Sequence, residues 1–117
     1  MVKNKKNSDV FWIYILECEN GNYYTGYTRD LARRYQQHLN GKVKYTRSFK
    51  PIRIAQCWQL FDEVGIAMKI ERFIKSQTRI TKETLINSPE KLSQILQRKL
   101  NLHPKSQPFD LSKIIEA

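Results

Sequence analysis

The feature that most constrains the fold is a run of eight mostly aromatic, aliphatic and β-branched residues followed by a turn signal. Phe11–Cys18 reads FWIYILEC and is apolar on both faces, which is typical of a central strand covered on both sides. Asn20-Gly21 then gives a strong hairpin signal, and Tyr23, Tyr24 and Thr25 continue as a second strand. An antiparallel hairpin therefore opens the predicted domain.

The middle of the chain predicts a helix and then a third strand. Leu31, Tyr35 and Leu39 recur at helical spacing, with Asp30 as the N-cap and Gly41 as the C-terminal stop. A basic loop over residues 41–51 follows. The third strand is predicted from apolar residues that alternate on one face: Ile52, Ile54, Trp58 and Leu60.

The remaining sequence predicts helices and a tail. We expect a helix over Val64–Lys75, a short helix over Thr81–Asn87, and a third helix whose start is marked by Ser88-Pro89-Glu90. The third helix carries one apolar stripe: Leu92, Ile95, Leu96 and Leu100. Two prolines beyond His103 predict a linker before a terminal helical turn at Leu111, Ile114 and Ile115. The expected fold class is α+β, a three-stranded antiparallel sheet flanked by helices in the order β-β-α-β-α-α, with a helical C-terminal extension.

Charge and composition limit the partners. The 117 residues hold 21 Lys and Arg against 11 Asp and Glu, a net charge of +10, which favours a nucleic-acid partner. No apolar run reaches the ~20 residues that span a bilayer, and no secretory signal is visible, so we expect a cytoplasmic protein without a membrane partner. Cys18 and Cys57 share no metal-ligand spacing and are expected to be free thiols in strands.

Two tyrosine triplets resemble the paired motif of the GIY-YIG endonuclease superfamily. Trp12-Ile13-Tyr14 stands ten residues before Tyr24-Thr25-Gly26, counted from Tyr14 to Tyr24. The similarity continues through Thr28-Arg29-Asp30-Leu31, Arg33-Arg34, His38, Lys44-Tyr45-Thr46-Arg47 and Glu71. It covers about residues 10–87, which we interpret as a GIY-YIG-like nuclease domain between a flexible basic arm (1–9) and a C-terminal helix and tail (88–117). Trp12 replaces the first glycine of the motif and is expected to cover a sheet face.

The resemblance implies a nuclease that hydrolyses a phosphodiester with one Mg²⁺ or Mn²⁺, as in the N-terminal nuclease domain of excinuclease ABC. By position, Tyr14 and Tyr24 are the tyrosines that help to activate water, Arg34 steadies the scissile phosphate, and Glu71 is the metal ligand. His38 stands four residues after the arginine, where several members also have histidine. No small-molecule cofactor is implied.

The family asparagine has no secure counterpart. Asn87, sixteen residues after Glu71, is the nearest candidate, and Glu83 stands where a shorter spacing would place it.

The chemistry of these residue types agrees with the implied roles. Arg34 can donate two hydrogen bonds to a phosphate at once, and a hard cation on Glu71 would stabilise charge on the same group. Tyrosine, whose pKa is about 10, is a poor base unless positive charge favours the phenolate. We expect Arg34 and the metal to provide that charge. On a helical wheel, Arg34, His38 and Glu71 lie at the borders of apolar faces.

The hairpin loop decides whether the two tyrosines share a face. A two-residue loop pairs residues whose numbers sum to 41 and places Tyr14 and Tyr24 on opposite faces. A three-residue loop, Glu19–Gly21 with Gly21 in the left-handed region, makes the sum 40 and places both on one face. We predict the three-residue loop.

Five residues of the basic loop are predicted to contact nucleic acid: Lys42, Lys44, Tyr45, Arg47 and Lys50. No helix carries a set of residues typical of base reading in the major groove. We therefore expect an endonuclease that recognises DNA structure rather than sequence, with branched, nicked or single-stranded DNA as possible partners.

Other interpretations remain open from the sequence. Tyr14 and Tyr24 could be ordinary strand aromatics, Arg34 and His38 a solvated helix face, and Glu71 one half of an ion pair with Lys75. The main alternative function is a non-catalytic nucleic-acid-binding module that keeps the nuclease fold. A third possibility is a protein-interaction domain that docks through the apolar stripe of the last helix.

Overall fold

The computed structural model describes residues 10–109 and 111. The predicted basic arm, residues 1–9, and the predicted terminal turn except Leu111 lie outside the described residues.

The described residues form an α+β domain with one antiparallel sheet. Its strands are β1 (Phe11–Cys18), β2 (Tyr23–Thr28), β3 (Pro51–Leu60) and β4 (Ser106–Pro108), in the spatial order β2-β1-β3-β4. The helices are α1 (Leu31–Leu39), α2 (Lys44–Ser48), α3 (Val64–Lys75), α4 (Arg79–Asn87) and α5 (Lys91–Leu100). The expected α+β class is confirmed, but the sheet has four strands rather than three, and the order over the described residues is β-β-α-α-β-α-α-α-β.

β4 replaces part of the linker predicted after His103. Its three residues pair with the end of β3, Leu60 opposite Ser106 and Trp58 opposite Pro108. The edge of β3 offers unpaired backbone groups that this short segment satisfies, and proline is tolerated at a sheet edge. A three-residue strand without an apolar side chain has no local sequence signal.

Three helix boundaries differ from the predictions. The segment predicted as a basic loop contains α2, whose Thr46 is fully buried, so a tertiary contact fixes this turn. α4 begins before Thr81 because Thr78 caps it and accepts from the Thr81 amide. Ser88 ends α4 instead of starting α5, since its amide donates to the Thr84 carbonyl.

The hairpin has the predicted three-residue loop. Cys18 donates to Asn22 across the loop at 2.9 Å, and Gly21 has a φ of +84° in the left-handed region. Tyr14 pairs with Gly26 and Leu16 with Tyr24, so the register sum is 40 and both tyrosines lie on one face.

The predicted alternation of apolar residues along β3 is wrong. Leu16 pairs with Ile54 while Ile15 pairs with Gln56, so Ala55 is an extra residue in a β-bulge. The bulge reverses the alternation, and Ile54 packs on the face opposite Trp58. Ile52 is 60% exposed.

Two apolar clusters cover the two faces of the sheet. The first joins the sheet to α3, α4 and α5 through residues including Ile15, Trp58 and Ile70. The second joins Tyr14, Leu16 and Cys57 to Leu31 and Tyr35 of α1, with Trp12, Tyr24, Ile54, Phe109 and Leu111 at its margin. β1 is the central strand buried on both faces, as predicted, and Trp12 covers a sheet face against Phe109 at 4.8 Å between rings.

Two further expectations concern buried side chains. Cys18 and Cys57 are free and buried in strands, as predicted. Of the stripe on α5, Leu92 and Leu96 are in the core and Ile95 packs against it, while Leu100 is 41% exposed. Core packing thus accounts for most of the stripe. Within the described residues, no helix is long and apolar enough to span a bilayer.

Candidate active site

A polar cleft of about 390 Å³ brings together four of the residues predicted from the sequence. Tyr14 of β1, Tyr24 of β2, Arg34 of α1 and Glu71 of α3 all line it. The other lining residues are Gly26, Tyr27, Thr28, Arg33 and Gln37. Residues as far apart in sequence as 14 and 71 thus share one surface depression.

Gly26 makes room for the ring of Tyr14. A Cβ atom at this position would stand 2.5 Å from the Tyr14 Oη and 2.6 Å from its Cζ, closer than any stable contact. Because Gly26 is the strand partner of Tyr14, the phenol lies flat across the neighbouring strand. The glycine therefore determines where the phenol oxygen stands.

His38 lies beneath the cleft and not at its border. Its side chain is fully buried, and its Nε2 is 2.9 Å from the Tyr14 Oη. On the other side of the ring, Nδ1 is 2.8 Å from the Thr46 Oγ1. The helical wheel predicted a position at the border of the apolar face of α1; in the structure the side chain is fully buried, with Thr46 of α2 as a hydrogen-bond partner.

Both ring nitrogens of His38 have a partner, and which of them donates depends on the tautomer. With the hydrogen on Nδ1, the ring donates to the Thr46 oxygen, the Thr46 hydroxyl is 3.5 Å from the Val43 carbonyl, and the bare Nε2 accepts from the Tyr14 phenol. In that tautomer the Tyr14 hydrogen points into the protein, towards His38.

Burial dominates the protonation of both groups. Desolvation lowers the pKa of His38 to about 4, with a smaller effect of the Arg34 charge in the same direction. Desolvation likewise raises the pKa of Tyr14 to about 12, against the opposing hydrogen bond from Arg34. The expectation that Arg34 favours the phenolate is right in sign, but its effect is smaller than that of burial.

Glu71 reaches the cleft from the helix that packs on the other face of the sheet. The α3 residues Ala67, Ile70 and Ile74 are buried in the first cluster, whereas Glu71 lines the cleft together with Tyr24 of the edge strand β2. The ion pair predicted as an alternative is present, since Lys75 Nζ is 3.3 Å from Glu71 Oε2.

The donor set agrees with a hydrated hard cation held by one carboxylate. The described residues contain no group of three or more His, Cys, Asp or Glu side chains that could form a cage. Mg²⁺ normally keeps several waters and binds through one or two carboxylates together with substrate oxygens. Glu71 and the surrounding polar cleft meet that requirement.

The candidates for the family asparagine do not line the cleft. Asn87 is the exposed last residue of α4. Glu83 accepts from the Tyr23 hydroxyl at 3.1 Å and pairs with Arg79. Neither candidate is among the residues that line the cleft.

The five predicted nucleic-acid contacts are all exposed, and one of them contacts the site. The ring of Tyr45 lies 5.6 Å from the ring of Tyr24. Arg47 donates to the Gly41 carbonyl, and the Lys50 amide donates to Glu19. Of the four basic residues, Lys44 and Arg47 lie on α2 and Lys42 and Lys50 flank it, which gives an exposed positive segment.

Several residues of the site were missed from the sequence. Gln37 accepts from Arg34 at 2.9 Å, a pairing that the three-residue spacing on one helix could have indicated. Thr46 stands in the Lys44–Arg47 stretch of the family resemblance, but no local pattern indicates its hydrogen bond to His38. Lys75 lies 5.9 Å from the centre of the Tyr24 ring. Its contact with that ring depends on tertiary structure alone.

Comparison with known proteins identifies the family of this chain. Residues 10–84 match the family described as the GIY-YIG catalytic domain. The chain is 38% identical over 81 residues to UPF0213 protein FN1575 of Fusobacterium nucleatum, covering 68% of this chain and 80% of that protein. It is 43% identical over 77 residues to UPF0213 protein BH0048 of Halalkalibacterium halodurans, covering 65% and 81%.

A solution NMR structure of UPF0213 protein BH0048 from Bacillus halodurans is similar with a TM-score of 0.45 and 37% identity, over 74% of this chain and 96% of that one. The match of the family to residues 10–84 includes all five of the catalytic candidates. The chain therefore belongs to the GIY-YIG family of nucleases.

Proposed function

We propose that the protein is a divalent-metal-dependent endonuclease that hydrolyses phosphodiester bonds in DNA and selects its substrate by structure rather than sequence. We assign the activity to residues 10–87, with residues 1–9 as a basic arm and 88–117 as a C-terminal helix and tail. The observation that carries the proposal is the convergence of Tyr14, Tyr24, Arg34 and Glu71 around one polar cleft.

Different side chains bind the phosphate group and the metal ion. Arg34 donates hydrogen bonds to the non-bridging oxygens, where negative charge increases during displacement, and Gln37 holds its guanidinium in place at 2.9 Å. Glu71 would hold one Mg²⁺ or Mn²⁺, which when bound supplies Lewis-acid stabilisation of the phosphate and leaving group. The net charge of +10 attracts the polyanionic strand without reading bases.

The phenols orient the attacking water. In the tautomer with the hydrogen on Nδ1, the His38 Nε2 accepts the Tyr14 hydrogen, and a lone pair of the phenol oxygen can accept a hydrogen bond from water in the cleft. When Tyr14 accepts a proton from water, its own proton can move to the His38 Nε2, 2.9 Å away. His38 is thus a positioning residue and proton acceptor behind the phenol.

The test is a cleavage panel over duplex, nicked, flap, forked and single-stranded DNA with Mg²⁺ or Mn²⁺. We expect wild-type cleavage, loss of at least about 100-fold in rate for Glu71→Gln and Arg34→Ala, and binding in EDTA within a few-fold of wild type. Glu63→Gln is the matched control, because this exposed carboxylate at the start of α3 makes no capping bond. It should cleave like wild type.

One observation favours the alternative of a non-catalytic binding module. The pKa of Tyr14, raised to about 12 by burial, and that of His38, lowered to about 4 by burial, both work against transfer of the phenol proton to the imidazole. Salt-dependent DNA binding without cleavage of any substrate in the panel would support the module and contradict the nuclease proposal.

A further inference from the structure

A second pocket of about 270 Å³ opens beside the cleft. It is lined by Asn22, Tyr23, Tyr45, Arg79 and Lys82, and we name it the flanking pocket. None of these residues lines the active-site cleft. The volume is close to the lower limit for small-ligand sites, which is enough for one base but not for a helix.

A pair of tyrosine rings forms the wall between the two pockets. Tyr24 lines the cleft and Tyr45 lines the flanking pocket, and their centroids are 5.6 Å apart. Because these rings are in contact, the two pockets are neighbours on the protein surface. A strand whose phosphate lies in the cleft can therefore place its neighbouring nucleotide in the flanking pocket.

The flanking pocket offers a surface for stacking. Tyr45 is 42% exposed, although one side of its ring faces Tyr24 and its hydroxyl accepts from the Asn22 amide at 3.4 Å. A ring that is held in place but open to solvent is the platform on which single-stranded bases stack in binding proteins. A paired base already stacks on its neighbours, so duplex DNA gains little here.

Two cations supply the attraction for a phosphate. Arg79 is fixed by a bond to the Gly21 carbonyl at 2.8 Å, an ion pair with Glu83, and the face of the Tyr23 ring at 4.6 Å. The Lys82 side chain makes no hydrogen bond or ion pair with the described residues, and its charge is available to a ligand.

We propose that the flanking pocket binds one unpaired nucleotide next to the phosphate that the cleft holds, with its base on Tyr45 and its phosphate near Lys82. This inference rests on the proposed function for its biological meaning, since it would direct cleavage to sites beside unpaired nucleotides. The binding itself needs no cleavage and can be measured separately.

The test measures equilibrium binding of the full chain to labelled single-stranded and duplex oligonucleotides in EDTA, where no cleavage occurs. We expect Tyr45→Ala to weaken single-strand binding by roughly 5- to 150-fold, the contribution of one stacked base, and to leave duplex binding unchanged. Tyr45→Phe keeps the ring and should bind like wild type. Phe49→Ala is the matched control, because Phe49 is also 42% exposed but lines neither pocket.

Two further readouts separate stacking from charge. A 2-aminopurine in the single strand should be quenched on binding to wild type and Tyr45→Phe, but not to Tyr45→Ala. Lys82→Ala should reduce the slope of log K for single-strand binding against log salt concentration by about 0.7, the value for one phosphate contact. Lys99→Ala, at an exposed position of α5, removes the same charge elsewhere and should leave that slope unchanged.

Equal losses for Tyr45→Ala and Phe49→Ala, or equal losses on single-stranded and duplex DNA, would overturn the flanking pocket. If the wild type cleaves DNA but Tyr45→Ala binds normally, the pocket fails and the nuclease proposal stands. If Tyr45→Ala loses single-strand binding selectively while the wild type cleaves no DNA, the pocket stands and the nuclease proposal fails.

Discussion

Gly26→Ala should displace the Tyr14 phenol and destabilise the fold by about 2 kcal/mol. The added Cβ would stand 2.5 Å from Oη and 2.6 Å from Cζ of a ring that is only 1% exposed. Forcing a buried ring aside costs about 1–3 kcal/mol, and loss of the 2.9 Å bond to His38 adds about 0.5–1.5 kcal/mol. The better backbone propensity of alanine offsets about 0.5–1 kcal/mol of this.

Urea unfolding followed by circular dichroism, arranged as a double-mutant cycle with Tyr14→Leu, measures this clash directly. In the Tyr14→Leu background the phenol atoms are absent, so Gly26→Ala should stabilise the fold by the propensity gain of about 0.5–1 kcal/mol, which gives a coupling of about 3 kcal/mol. Gly65→Ala is the control, because no atom stands within 4 Å of its added Cβ and the helix gains propensity. The same cost of Gly26→Ala in both backgrounds would refute the argument that the ring needs this glycine.

Two other predictions follow from buried groups. The pKa of His38 is lowered by burial from 6.5 to about 4, so the unfolded chain takes up a proton that the folded chain refuses as pH falls from about 6.5 to 4. Over that window wild type should lose about 3 kcal/mol of unfolding free energy relative to His38→Gln, and parallel stability curves would contradict this. Burial raises the pKa of Cys57 to about 12 and also raises that of Cys18, so a thiol reagent at pH 8 should label neither in the folded protein. Both should react in denaturant, and rapid labelling of the native protein would show that a strand opens.

The positions of the two phenols could be predicted because they depend on local geometry. The spacing of the strands around Asn20-Gly21, together with a left-handed glycine, determines the loop length and hence the face of every side chain in the hairpin. Glu71 was predicted as a site residue from the family resemblance alone, because no periodicity in the sequence indicates that α3 lies along an edge strand. The cleft itself is a tertiary fact.

The departures from prediction have one cause in common. β4, α2 and the bulge at Ala55 are each maintained by contacts with distant residues, and none has a pattern of its own. His38 shows this most clearly, because the helical wheel places it at the border of the apolar face of α1. Its burial and its hydrogen bond with Tyr14 depend on the tertiary structure, in which Thr46 of α2 bonds to the other side of the ring.

The amino-acid sequence by itself determined the central strand, the register of the hairpin, the free cysteines and the positive charge of this protein. The strand and the hairpin register follow from strand propensity and turn chemistry, which depend on a few neighbouring residues. The charge and the state of the cysteines follow from residue counts and spacing. The tertiary structure alone decided which polar groups became buried, how Arg34, His38 and Tyr14 share their protons, and that a second pocket stands beside the first. Such properties depend on desolvation and on distances between remote side chains, and neither is encoded locally.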